Sequence, residues 1–249
     1  MRELSRIAKY LLGTGIKEES VGTVVKYEAE HGITIKALRR YADDLVEMGV
    51  SRDQVGHVIE ETAKHGTPAS SLVQGLEMFL ESAGNLKKEI TLTVNVKGEL
   101  KTIRVIMQGG NERSGLIHAY LRHVRGYEME DAGITTFWPL GQKIIVNGRA
   151  KQLPKVFRNE EELVEFLKEV VERVSKNPEY VSEKFFKNGV PKTTVELEFP
   201  LEKFGIKIDG IDQIHLSFSF EDGEFVLKTA YPTKGWAVET FIPSRGGWQ

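Results

Sequence analysis

The chain has 249 residues, enough for one large or two ordinary domains, with 40% hydrophobic and 28% charged residues. Its formal net charge of −2 excludes a polycation, so any nucleic-acid binding has to come from a local patch. It holds no cysteine, which excludes disulfides, thiolate metal sites and a cysteine nucleophile.

The N-terminal MRELSRIAKYLLGTG has a basic start and only a short, mixed apolar patch. It reads as a helix and not as a secretion signal, which points to the cytoplasm or to export without a classical leader. No run of about 18 apolar residues occurs, so no membrane span is expected.

Residues 15–48 and 49–82 overlay without a gap. Gly15 falls on Gly49, Val21-Gly22 on Val55-Gly56, and Ala29, His31 and Gly32 on Ala63, His65 and Gly66. The first fourteen residues fit the second half of the same unit. The chain therefore begins with about two and a half copies of a helix–turn–helix unit, whose apolar stripes are buried only by stacking. Gly32 and Gly66 stop the first helix of each unit, and Pro68 suits the first turn of the next. His31 and His65 read as caps of helix C-termini, and His57 as a surface residue. The repeat length is that of tetratricopeptide repeats, but their aromatic and proline signature is missing. Such a module reads as a surface for a protein partner or as a spacer.

Around residues 82–88 the helical period ends, which divides the chain into a helical repeat domain, 1–86, and a second domain, 87–249. ITLTVNV and LKTIRVIMQ flank a Lys97-Gly98 turn and predict a β-hairpin. Residues 109–125, GGNERSGLIHAYLRHVR, then predict a loop running into an amphipathic helix, with Asn111 or Ser114 as N-cap. Leu116, Ile117, Tyr120, Leu121 and Val124 form its apolar face. His118 and His123 lie about 140° apart around it and do not share a face. Arg113, Arg122 and Arg125 surround them with positive charge. Histidine exchanges protons near neutral pH, so two of them ringed by arginines suit a phosphate-bearing substrate. The residues alone also allow a core helix with polar edges.

ITTFWPLG and KIIVN read as short strands. Residues 159–176 predict a helix capped by Asn159, with acids in its first turn. A shorter helix covers 178–187. Strands follow at 193–199, 204–208, 214–220 and 224–231, with an edge strand in 236–242. The second domain is thus α+β, a mostly antiparallel sheet covered by helices. Asp222-Gly223 is a two-residue hairpin turn. Pairing outward from it puts Phe220 opposite Phe225, Phe218 opposite Leu227, Leu216 opposite Thr229 and Ile214 opposite Tyr231 on one face. Ser217, Lys228 and His215 take the other. The apolar face turns polar at Thr229 and Tyr231.

The order of these features resembles the barnase–EndoU–colicin–RelE (BECR) fold, and within it the EndoU-like and bacterial toxin nucleases. Two motifs carry the resemblance: His118-x4-His123 with Arg122, and Thr229-Ala230-Tyr231-Pro232 at the end of the last long strand. It covers roughly residues 100–235. It implies a metal-independent endoribonuclease, without cofactor, that forms a 2′,3′-cyclic phosphate. His118 and His123 would exchange protons, Thr229 and Tyr231 would seat the nucleotide, and Arg113, Arg122, Arg125 and Lys228 would bind substrate. It also implies RNA, tRNA among the candidates, as partner, an inhibitor or immunity protein, and a toxin or effector role. EndoU enzymes use a catalytic lysine between these motifs; here Lys143, Lys151 and Lys155 are candidates without a motif. A non-catalytic scaffold with a degenerate nuclease fold is the alternative, and a zinc set of His118, His123 and His215 a further one.

Overall fold

The computed structural model describes residues 2–84, 86–96, 98–128 and 133–249. Five helices come first: α1 (Arg2–Leu12), α2 (Val21–Glu30), α3 (Ile35–Met48), α4 (Val55–Lys64) and α5 (Ala69–Ala83). They follow the sequence repeat, with α2–α3 and α4–α5 as units and α1 as the leading half. Gly32 and Gly66 take positive φ (74° and 89°) where a side chain would be strained. His31 donates its Nδ1–H back to the Tyr27 carbonyl at 2.8 Å, which caps α2. His65 ends α4 but reaches further, donating to the Ile145 carbonyl at 2.8 Å. Pro68 sits at the N-cap of α5 and not inside its first turn. His57 is half-buried, edge-on to Tyr127 at 5.7 Å.

The hairpin β1 (Leu86–Val96) and β2 (Glu99–Met107) follows; Lys97 of its turn lies outside the described residues. Next come α6 (Leu116–His123), β3 (Thr135–Phe137), β4 (Lys143–Val146) and β5 (Arg149–Gln152). Helix α7 (Glu160–Ser175) is capped by the Asn159 side chain, which accepts from the Glu162 N–H at 3.1 Å. Helix α8 (Pro178–Phe185) is capped likewise by Asn177. The remaining strands are β6 (Phe186–Lys187), β7 (Val190–Pro191), β8 (Thr194–Pro200), β9 (Gln213–Glu221), β10 (Glu224–Lys234), β11 (Glu239–Ile242) and β12 (Gly247–Trp248). Residues 204–208 form no strand: a 3-10 turn at Glu202–Phe204 and a left-handed Gly205 bend the chain, and Ile206 is buried from a loop.

The protein is α+β. The main sheet has the order β1-β2-β10-β9-β8 and is antiparallel except where β2 meets β10. That parallel pairing covers only Glu224–Val226 of β10. A second sheet, β12-β11-β3, and the β4-β5 hairpin stand beside it. Helices α7 and α8 pack on β1, and α5 packs along α7. One continuous apolar core runs from Leu11 and Leu45 in the repeat helices through Phe79 and Tyr120 to Phe218 of β9. The repeats therefore do not stand free of the sheet. No helix among the described residues is long and apolar enough to cross a membrane.

Candidate functional site

The parallel pairing of β2 with β10 stops early, and this opens the site. Beyond Val226 the edge of β10 is met by side elements in place of a strand. The Gly115 N–H donates to the Lys228 carbonyl at 2.7 Å, and the buried Trp138 indole N–H to the Ala230 carbonyl at 3.1 Å. Gly115 is the N-cap of α6, with φ 90°, where Asn111 or Ser114 had been expected. A Cβ there would clash with the backbone of Gly109, so only glycine brings the helix this close.

The β9–β10 hairpin corrects the expected register. Phe220 faces Phe225 and Phe218 faces Leu227, but Thr229 then pairs with Ser217 and Tyr231 with His215. Lys228 is left without a partner, as the extra residue of a β-bulge. A one-residue slip turns every later side chain to the other face. Ala230 and Pro232 are therefore buried in the core, and Thr229, Tyr231 and Thr233 share the face of Ser217 and His215.

A cleft of about 470 Å³ lies at this edge. Its helix wall is His118, Arg122 and His123; its strand walls are Thr229, Tyr231 and Thr233 on β10, and Thr136 and Thr240 on β3 and β11. His118 and Arg122 are one helical turn apart and share a face. His123 ends the helix and its ring meets His118 edge-on at 6.4 Å, so both histidines open on one cleft despite their spacing.

Each histidine is held through Nδ1. His118 donates to the Glu112 carbonyl and His123 to the Thr136 carbonyl, both at 2.9 Å. Nε2 is then the basic nitrogen in each neutral ring. Burial pushes the His123 imidazole down to about 3, and Arg122, His118 and His215 lower it further against the Thr136 bond. Burial lowers His118 too, joined by Arg122 and opposed by the Glu112 carbonyl. Both rings are neutral at neutral pH.

Tyr231 lies between two imidazoles. It stacks on His123 at 4.5 Å and on His215 at 4.6 Å. His215 is gripped from outside, with Nδ1 at 2.9 Å from Glu198 and Nε2 at 2.8 Å from Glu196. The column fixes the ring of Tyr231 on the cleft wall. The hydroxyls of Thr136 and Thr229 are buried there without a hydrogen-bond partner.

The structure thus brings together four expected residues (His118, His123, Thr229 and Tyr231) with Arg122. It does not bring the other cations. Arg113 is 74% exposed beside Glu112, outside the cleft. Arg125 is turned into the core, where Nη2 pairs with Glu160 at 3.1 Å and Nε donates to the Tyr120 hydroxyl at 2.9 Å. Lys228 points away from the site and pairs with Glu221 at 2.7 Å. Lys143 and Lys155 do not line the cleft, and Lys151 is paired with Glu239 at 3.1 Å. His215 belongs to Glu196 and Glu198, and among the described residues no cluster of His, Asp and Glu is arranged for a metal. Sequence reasoning passed over Thr136, Thr233 and Thr240; Thr136 stood in the quoted TTF stretch, but nothing marked its direction.

No protein-family model, curated protein or solved structure matches the chain.

Proposed function

We propose that the protein is a metal-independent endoribonuclease of the EndoU-like, BECR-fold type, cutting RNA by internal transphosphorylation. One observation carries this reading. Two Nδ1-anchored imidazoles and an arginine share a cleft with a Tyr–Thr strand terminus.

The chemistry follows from the two environments. His123, neutral and held at Nδ1 by the Thr136 carbonyl, takes the proton from a ribose 2′-hydroxyl at Nε2, where the bound phosphate anion offsets the burial that disfavours its charged form. The 2′-oxygen then bonds to phosphorus, and the bond from phosphorus to the 5′-oxygen breaks. His118, the more accessible ring, takes up a proton from solvent when the anionic phosphodiester beside it raises its pKa, and it gives that proton to the leaving 5′-oxygen. Arg122 takes up the charge on the non-bridging oxygens. Tyr231, its two faces covered by imidazoles, presents its ring edge and hydroxyl to the nucleoside from the cleft wall.

The test is incubation with tRNA, ribosomal RNA and single-stranded oligonucleotides in excess EDTA between pH 5 and 8. Fragments ending in 2′,3′-cyclic phosphate and 5′-hydroxyl are expected, and their loss in His118→Ala and His123→Ala. Intact RNA across all substrates leaves the cleft as a binding site on a non-catalytic protein.

A further inference from the structure

The turn between α3 and α4 reaches the candidate site through Ser51 and Glu112. Ser51, in the turn between α3 and α4, donates its backbone N–H to Glu112 Oε2 at 3.0 Å and its hydroxyl to Oε1 at 2.9 Å. Glu112 is only 1% exposed, and its nearest cation is Arg113 Nε at 3.7 Å. A buried carboxylate is costly without such donors. The backbone carbonyl of the same Glu112 accepts the Nδ1–H of His118. A three-residue path thus runs from the repeats to the imidazole.

The surrounding backbone makes this path stiff. Gly49 caps α3 at φ 121°, and the Val50 N–H closes onto the Leu45 carbonyl at 2.9 Å, which fixes the turn that holds Ser51. Gly49 lies so close to the histidine loop that a Cβ on it would stand 2.8 Å from the Gly110 carbonyl and 2.9 Å from Ile117 Cδ1. Within the loop, Asn111 and Ser114 bond each other's backbone, and the Arg113 N–H donates to Asn111 Oδ1 at 2.9 Å. Turn 49–51 is therefore seated on loop 110–114.

We propose that Ser51 and Glu112 are positioning residues for His118. They hold the Glu112 carbonyl where it fixes the imidazole as the Nδ1–H tautomer, with Nε2 left for the substrate. The repeats then serve as one wall of the site's framework. The catalytic consequence rests on the nuclease reading; the tautomer does not.

Two readouts on the full chain test it. The first is the 15N spectrum of the histidine rings, in which wild-type His118 shows a protonated Nδ1 and a bare Nε2. Ser51→Ala and the isosteric Glu112→Gln are expected to mix the tautomers of His118 and to leave those of His31 unchanged. Ser51→Thr, which keeps both donors, is expected to restore the wild-type pattern. The second is RNA cleavage, where Ser51→Ala should lower kcat by about 10- to 100-fold with KM changed less than about twofold, as expected for a misplaced catalytic ring. Glu112→Gln covers the case in which Ser51→Ala fails to fold. An unmixed His118 tautomer in a folded Ser51→Ala or Glu112→Gln protein overturns the proposal. If the wild type cuts no RNA, the nuclease reading fails and the ring spectrum still decides this one.

Discussion

His123 ties the site to stability, and the size of that tie can be worked out. Folding buries the ring to 3% exposure and lowers its pKa from 6.5 to about 3. A histidine lowered in this way stays neutral when folded and gains a proton when unfolded. Its contribution is therefore full above pH 6.5 and falls as pH drops towards 3. Linkage puts the loss at ~2 kcal/mol by pH 5 and ~4 kcal/mol at pH 3. His123→Gln removes the titration. It also removes the stacking on Tyr231 and the bond to Thr136, a cost of about 1–3 kcal/mol at pH 7.5. Urea unfolding of both proteins at pH 7.5 and pH 5 measures the difference, and other titrating groups cancel between them. The wild-type advantage should shrink by ~2 kcal/mol at pH 5. An advantage of the same size at both pH values would refute the claim that this ring is held neutral.

Glu28 has the opposite sign. Burial raises its carboxyl from 4.5 to about 7 while it accepts the Ala69 N–H at the start of α5. Its contribution is full below pH 4.5 and is lost as pH rises through 7, so Glu28→Gln should gain about 1–3 kcal/mol at pH 8.5 and little at pH 4.5 in the same unfolding assay. Gly75→Ala should lower stability by at least ~1 kcal/mol on thermal unfolding, because overpacking outweighs the gain in helix propensity. The added Cβ would fall on the Tyr120 hydroxyl and come within 2.7 Å of Glu160 Oε1. Arg125→Met should cost ~2 kcal/mol by leaving Glu160 unpaired. It should leave affinity for a short RNA, titrated against the His118→Ala protein, unchanged, whereas Arg122→Met should weaken it.

The elements that could be read from sequence are those whose signal is local. The repeats showed because Gly32 and Gly66 must end a helix at the same phase of each unit. Helix α7 showed because Asn159 and three following glutamates mark its start before a regular apolar stripe. The hairpin turn showed because Asp222 and Gly223 both need positive φ, at 50° and 82°. Where the competing structure is set by distant contacts, the pattern misled. The apolar residues of 204–208 suit a strand or a buried loop equally, and the left-handed Gly205 decides for the loop. Arg113, Arg122 and Arg125 look alike in sequence, and only the packing of α6 separates them. Arg122 falls on the cleft face of the helix, while Arg125 lies past its end, beside Tyr120 and Glu160.

Lys228 shows most clearly why the site was only half legible. No glycine or turn residue marks it, and regular pairing would place Thr229 and Tyr231 against Leu216 and Ile214. In that register two polar residues would face the core, each burying a hydroxyl at a cost of about 1–3 kcal/mol without a partner. The bulge turns both onto the cleft wall, where Tyr231 is half-buried, and it returns Ala230 and Pro232 to the core; the Thr229 hydroxyl stays buried at the wall without a partner. The same extra residue aims its carbonyl at the Gly115 N–H, which sets where the histidine helix begins. One unpaired residue thus fixes both halves of the cleft: the side chains that β10 presents and the helix that faces them. The sequence shows these halves as two motifs a hundred residues apart, and the bulge that joins them leaves no mark in it.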